Sequence, residues 1–117
     1  MKEYRHSRFD EEILDAMAAY NTTKSAKEQF ALIDARVISM IHSYAYSNKQ
    51  FFASNVYLAE KCLATQSTIQ KSINRLIAHK FITKEIRCVD GHKKRIITYN
   101  DAVVETFKTK YEKCIIP

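Results

Sequence analysis

The chain has one glycine, one proline and no tryptophan in 117 residues. With Gly91 alone, there is no glycine-rich loop to cradle a phosphate, and neither H-E-x-x-H nor a local nucleophile signature occurs. The three cysteines, Cys62, Cys88 and Cys114, are widely spaced and form no C-x-x-C pair. A disulfide framework is therefore not expected, and a reducing, cytoplasmic setting is. Cys62 and Cys114 read as small buried hydrophobes. Cys88 and His92 offer only two donors, too few for a metal site. His6, His42 and His79 lack neighbours that would suggest catalysis. Neither enzyme activity nor a cofactor is expected. No apolar run is long enough to cross a membrane, and no signal-peptide pattern occurs. A single domain over 1–117, with enough chain to bury a core, is the natural size.

What the chain has in excess is positive charge, and the excess is local. The formal net charge is +6. Residues 66–95 hold eight Lys/Arg against Glu85 and Asp90, while the segments on either side are balanced. A generally basic protein spreads its charge, so this concentration predicts a polyanion-binding surface.

The basic segment begins inside a two-helix pattern, residues 54–78. Ser54 is an N-cap candidate for the first helix, with Leu58 and Cys62 four apart on its inward face. Thr65 caps the second, where Ile69, Ile73 and Leu76 recur at helical spacing as a core stripe. The opposite side carries Ser67, Lys71, Asn74, Arg75 and Ala78, flanked by Thr68 and Gln70, with no acidic residue. Amides, hydroxyls and cations are the groups that bond base edges and phosphates. The spacing predicts a helix-turn-helix, with residues 65–79 entering the major groove of DNA.

Elsewhere, Ser7 and Asp10 have capping-box spacing ahead of a helix over about residues 9–20, with Ile13, Leu14 and Met17 on one side. Ser25 and Glu28 form a second box, predicted to open a long helix to Tyr44 or Tyr46 with the stripe Phe30, Ile33, Val37, Ile41 and Tyr44. Residues 47–49 end it, and Phe51-Phe52 reads as a very short strand. After His79 the period shortens to that of strands. Phe81–Val89 and Lys93–Tyr99 flank Asp90-Gly91, a strong type I′ hairpin signal. The cluster His92-Lys93-Lys94-Arg95 would repel itself at a hairpin tip without a counter-charge, which favours a phosphate partner. Asn100 caps a last helix, about residues 101–113, with Val104, Phe107, Tyr111 and Cys114 on its apolar side.

Residues 30–99 resemble the winged helix-turn-helix domains of phage and plasmid replication proteins and small mobile-element or bacterial regulators. The resemblance is carried by Phe52-Ala53-Ser54, Leu58-Ala59-Glu60-Lys61, Thr65-x-x-Thr68-Ile69-x-Lys71, Asn74-Arg75-Leu76 and Phe81-Ile82. It implies a mainly α, α+β fold: a winged core over 25–99, flanked by helices over 7–20 and 101–114. It also matches Ser67, Thr68, Gln70 and Lys71 to base-reading positions. The chain departs from the pattern at Ala53 (a frequent proline), Leu63 (the usual turn glycine) and Lys80 (the glycine that ends the recognition helix). A left-handed Leu63 would cost about 1 kcal/mol.

The expected function is sequence-specific binding of double-stranded DNA as a transcriptional regulator of a bacterial, plasmid or phage system. The short chain favours this over a part in replication initiation; docking of an acidic protein partner is the reading from another class. Ser67, Thr68, Gln70, Lys71 and Asn74 are expected to read bases, and Thr65, Arg75, Lys80, His92, Lys93, Lys94 and Arg95 to contact phosphates. Because the outer helices carry apolar stripes, a homodimer paired through them is also expected.

Overall fold

The computed structural model describes residues 2–46 and 54–112. In chain order these form α1 (Lys2–Asn21), a single 3-10 turn (Ala26–Glu28), α2 (Leu32–Tyr46), α3 (Asn55–Cys62), α4 (Gln66–Ala78), β1 (Ile82–Val89), β2 (His92–Tyr99) and α5 (Asp101–Glu112). The strand expected at Phe51-Phe52, the helix stop at 47–49 and the tail from Cys114 to Pro117 lie outside the described residues.

Two predicted helix starts are corrected. The first helix begins at Lys2, so Ser7 falls inside it and not at its start. The preceding Lys, Glu and Arg are good helix formers, with no Gly or Pro to stop them. The Ser25–Glu28 box does form, with the Ser25 hydroxyl donating to Glu28 Oε1 at 3.1 Å. It opens only the 3-10 turn, after which Gln29 is extended (φ −78, ψ 149). The Asn21 side chain causes the break. Its amide donates to the Phe30 carbonyl at 2.9 Å and accepts from the Phe30 N–H at 2.8 Å, so Phe30's backbone bonds are spent outside any helix. That places the Phe30 ring against Tyr20, Phe81 and Phe107. Helix α2 starts afresh at Leu32, where Asp34 reaches back to the Ala31 N–H at 2.9 Å, as the third residue of a capping box does.

The core forms around α4. Ile69, Ile73 and Leu76 are fully buried, as the stripe predicted, against Leu58 of α3 and Val37, Ile38 and Ile41 of α2. Phe81, Ile82 and Ile97 seal the base of the hairpin. Helix α1 packs on α2 and α5, burying Phe9, Ile13, Met17, Val104 and Phe107. These are the stripes from which a homodimer was expected. Most of the described stripe residues are spent on the chain's own core, whereas Leu14 stays 41% exposed.

The hairpin pairs Val89 with His92 across Asp90 (φ 53) and Gly91 (φ 79). Positive φ at both central residues is the type I′ requirement, met here by Asp-Gly. Helices α3 and α4 both end in a left-handed residue that is not glycine, Leu63 (φ 54) and Lys80 (φ 65). Around Leu63 the Ala64 N–H reaches the Ala59 carbonyl at 3.0 Å, and around Lys80 the Phe81 N–H reaches Leu76 at 3.0 Å. Both are Schellman closures, so the two departures from the family pattern carry real backbone strain. The Leu63 side chain is 94% exposed and contributes no packing that glycine would lose. Leu63→Gly is therefore expected to stabilise the protein by about 1 kcal/mol. A raised urea midpoint with unchanged slope checks it.

His79, at the end of α4, packs against Phe30 (4.4 Å between ring centroids), Tyr20 (5.5 Å) and Phe81 (5.7 Å). Burial lowers its imidazole pKa below the usual value; the Asp34 charge opposes this and Lys24 adds to it. As pH falls through about 6.5, the unfolded chain takes up this proton before the folded one does. Stability is therefore lost from about pH 6.5 down to the lower folded value. Replacing His79 with Phe keeps a ring there and should flatten that part of the denaturation-midpoint profile.

Candidate nucleic-acid interface

Helix α4 is held at its start by Thr65, whose hydroxyl accepts from the Thr68 N–H at 3.1 Å and donates to the Thr68 hydroxyl at 2.9 Å. Beyond that cap, Ser67, Lys71, Asn74 and Ala78 are exposed, whereas Thr68 and Gln70 are half-buried. Gln66, Gln70 and Asn74 follow one another at four-residue spacing and form an amide row along one side of the helix. The row is connected. Asn55 of α3 donates from Nδ2 to Gln70 Oε1 at 2.8 Å, and Gln70 Nε2 donates to Asn74 Oδ1 at 2.9 Å.

Arg75, expected to contact phosphates, is paired with a carboxylate of α2. Its Nε donates to Asp34 Oδ2 at 2.8 Å and its Nη2 to Asp34 Oδ1 at 3.0 Å. Asp34 is fully buried, and Oδ1 also accepts from the Ser72 hydroxyl at 2.6 Å. With the Ala31 N–H, the carboxylate accepts four hydrogen bonds, which uses its full capacity. This charge on α4 is paired with a buried carboxylate, which ties α4 to the start of α2. Sequence reasoning missed Asp34 and Ser72. The available signal was Ser72 itself, a polar residue three after Ile69 and four before Leu76, inside the buried stripe.

The wing contributes the other cations. His92, Lys93 and Lys94 are exposed, and Arg95 is half-buried. Burial draws the Arg95 pKa down, but a guanidinium stays charged at any physiological pH. Side chains alternate along a strand. Lys93 and Arg95 therefore share the face of Ile97, while Lys94 lies on the other, opposite Arg87. The wing is thus cationic on both faces, and Arg87, across from Lys94, is paired with Glu85 at 3.1 Å.

Lys93, Lys94 and Arg95 meet the helix-turn-helix across a groove of about 520 Å³, whose other wall is Ser54, Asn55, Val56 and Gln66. The cationic strand therefore faces the N-terminal ends of α3 and α4, and neither Lys71 nor Arg75 lines that groove. Exposed Lys80 follows at the far end of the helix. The placement adds Asn55 and Gln66 to the residues picked from sequence. Cys88 and His92 do not sit opposite each other, since their cross-strand partners are Lys93 and Val89. Among the described residues no group of three metal-ligating side chains occurs, and no helix is long and apolar enough to cross a membrane.

Residues 33–82 match a family model described as a helix-turn-helix domain. The match runs from α2 through α3 and α4 to the first residue of β1, and the hairpin beyond it completes a winged helix-turn-helix. No curated protein and no solved structure matches the chain.

Proposed function

We propose that this winged helix-turn-helix protein binds double-stranded DNA sequence-specifically and acts as a transcriptional regulator of a bacterial, plasmid or phage system. One observation supports this reading above the others. The outward side of α4 bears amides, hydroxyls and Lys71 with no acid, and it borders a groove walled by Lys93, Lys94 and Arg95. Ser67, Lys71 and Asn74 are exposed where base edges would lie, with Thr68 and Gln70 beside them. Lys80, His92 and the three wing cations would bear on phosphates, and so would the amide end of α4 capped by Thr65.

An unbiased selection from random duplexes tests the reading. It is expected to return one motif bound at least a thousandfold, roughly, more tightly than bulk duplex at physiological salt. In vitro transcription from a promoter carrying that motif should then change on adding the protein. A motif clustered at a replication origin, with no effect on transcription, would favour the replication role instead.

A further inference from the structure

We propose that Asn55, which lies outside the recognition helix, is a positioning residue that decides which base edge Asn74 reads; this rests on the DNA-binding reading above. The two amide hydrogen bonds form a relay with one direction, Asn55 to Gln70 to Asn74. A glutamine reads adenine by turning both its oxygen and its nitrogen to one base edge. Here Gln70 Oε1 is held by Asn55 and Nε2 by Asn74, so its amide lies along the helix. Asn74 spends one of its two oxygen lone pairs on Gln70 and keeps both Nδ2 hydrogens as donors at an exposed position. Paired donors suit the N7 and O6 acceptors of guanine.

The direction of the relay has a physical basis. Asn55 Oδ1 is buried and has no hydrogen-bond partner among the described residues. Reversing all three amides would put an NH₂ group at that buried position. An unpaired buried donor is less well tolerated than an under-satisfied carbonyl. Asn55 therefore keeps its nitrogen towards Gln70, and the outward end of the relay stays a donor. Asn55 also shares a groove wall with Gln66 opposite Lys93–Arg95, so it sits at the proposed interface without being part of α4.

The test compares selected motifs for wild type, Asn55→Ala and Asn55→Asp. Acidic residues are favoured in a first helical turn, where Asn55 lies in α3. That offsets the cost of a carboxylate oxygen at the buried Oδ1 position. Asn55→Ala alone carries the test if Asn55→Asp fails to fold. Wild type is expected to enrich guanine at one base pair, by on the order of tenfold over other bases. Asn55→Ala frees the Gln70 amide and should erase that preference there while leaving the rest of the motif intact. The introduced carboxylate only accepts, so Asn55→Asp forces Gln70 to present Nε2 to it and Oε1 to Asn74. Asn74 then shows its oxygen outward, and guanine should give way to cytosine or adenine, whose amino groups donate. In the free protein, the Gln70 side-chain amide resonances should also shift in both variants. A wild-type motif that both variants retain overturns the inference and leaves the DNA-binding reading standing. A wild type that enriches nothing overturns both.

Discussion

Asp34→Ala is expected to destabilise the protein by about 3 kcal/mol. The carboxylate is fully buried; its loss strands the buried Ser72 hydroxyl and removes the cap from the exposed Ala31 N–H. A stranded buried hydroxyl costs about 1–3 kcal/mol, and a lost helix cap about 1 kcal/mol. Arg75 loses both of its bonds to Asp34, but its side chain is 34% exposed and can turn towards water. That escape keeps the total below the 3–5 kcal/mol typical of breaking a fully buried pair. Arg75→Ala in the Asp34→Ala background should cost little more, because the partner has already gone. Urea denaturation of the two single variants and the double variant measures the coupling. Additive losses would show that the two groups do not act together. The fold should survive the double variant, since the apolar contacts of Ile69, Ile73 and Leu76 are untouched.

The second large effect is on binding. Lys93→Ala with Lys94→Ala should weaken binding to selected and random duplexes alike, by about fiftyfold near 0.1 M salt. Each phosphate neutralised contributes about 0.9 to the slope of log affinity against log salt, so two lost contacts should reduce it by about 2. Both residues are exposed on the strand that faces Gln66 across the groove, so neither replacement opens the core. Lys71→Ala, on the outward side of α4, should instead relax preference at one or two base pairs. Fluorescence anisotropy on one selected and one scrambled duplex separates the two behaviours. If Lys71→Ala and the wing pair behave identically on both duplexes, the split between base reading and phosphate contact is wrong.

Those features of the fold that depend on local periodicity were legible in the sequence. The α4 stripe follows from the spacing of Ile69, Ile73 and Leu76, and the hairpin from Asp90-Gly91 between β-rich runs. The strained turns at Leu63 and Lys80 were visible as glycines missing from a family pattern. Features that depend on a distant partner were not legible. Arg75 sits at the border of the apolar stripe, three after Ser72, where a helical wheel cannot say whether it turns outward or in. Its partner Asp34 is 41 positions away in sequence. The start of α2 moved for a similar reason, because the Asn21 amide captures the backbone of Phe30 nine residues on. Ile13 and Met17 of α1 and Val104 and Phe107 of α5 are buried as their spacing predicts, whereas Leu14 is exposed. Periodicity alone does not say whether such a face packs within its own chain or against a copy. The Asn55–Gln70–Asn74 relay joins two helices, and only its Gln70–Asn74 half had a sequence signature, the four-residue spacing.

Helix α4 and the wing are proposed to form one surface for duplex DNA. The most direct measurement is the affinity of the unmodified protein for a labelled duplex across salt from about 50 to 300 mM. Five or more phosphate contacts, spread over Lys80, the wing and the start of α4, predict a slope of log affinity against log salt of about −4 or steeper. A flat dependence, or no binding even at the lowest salt, would contradict it.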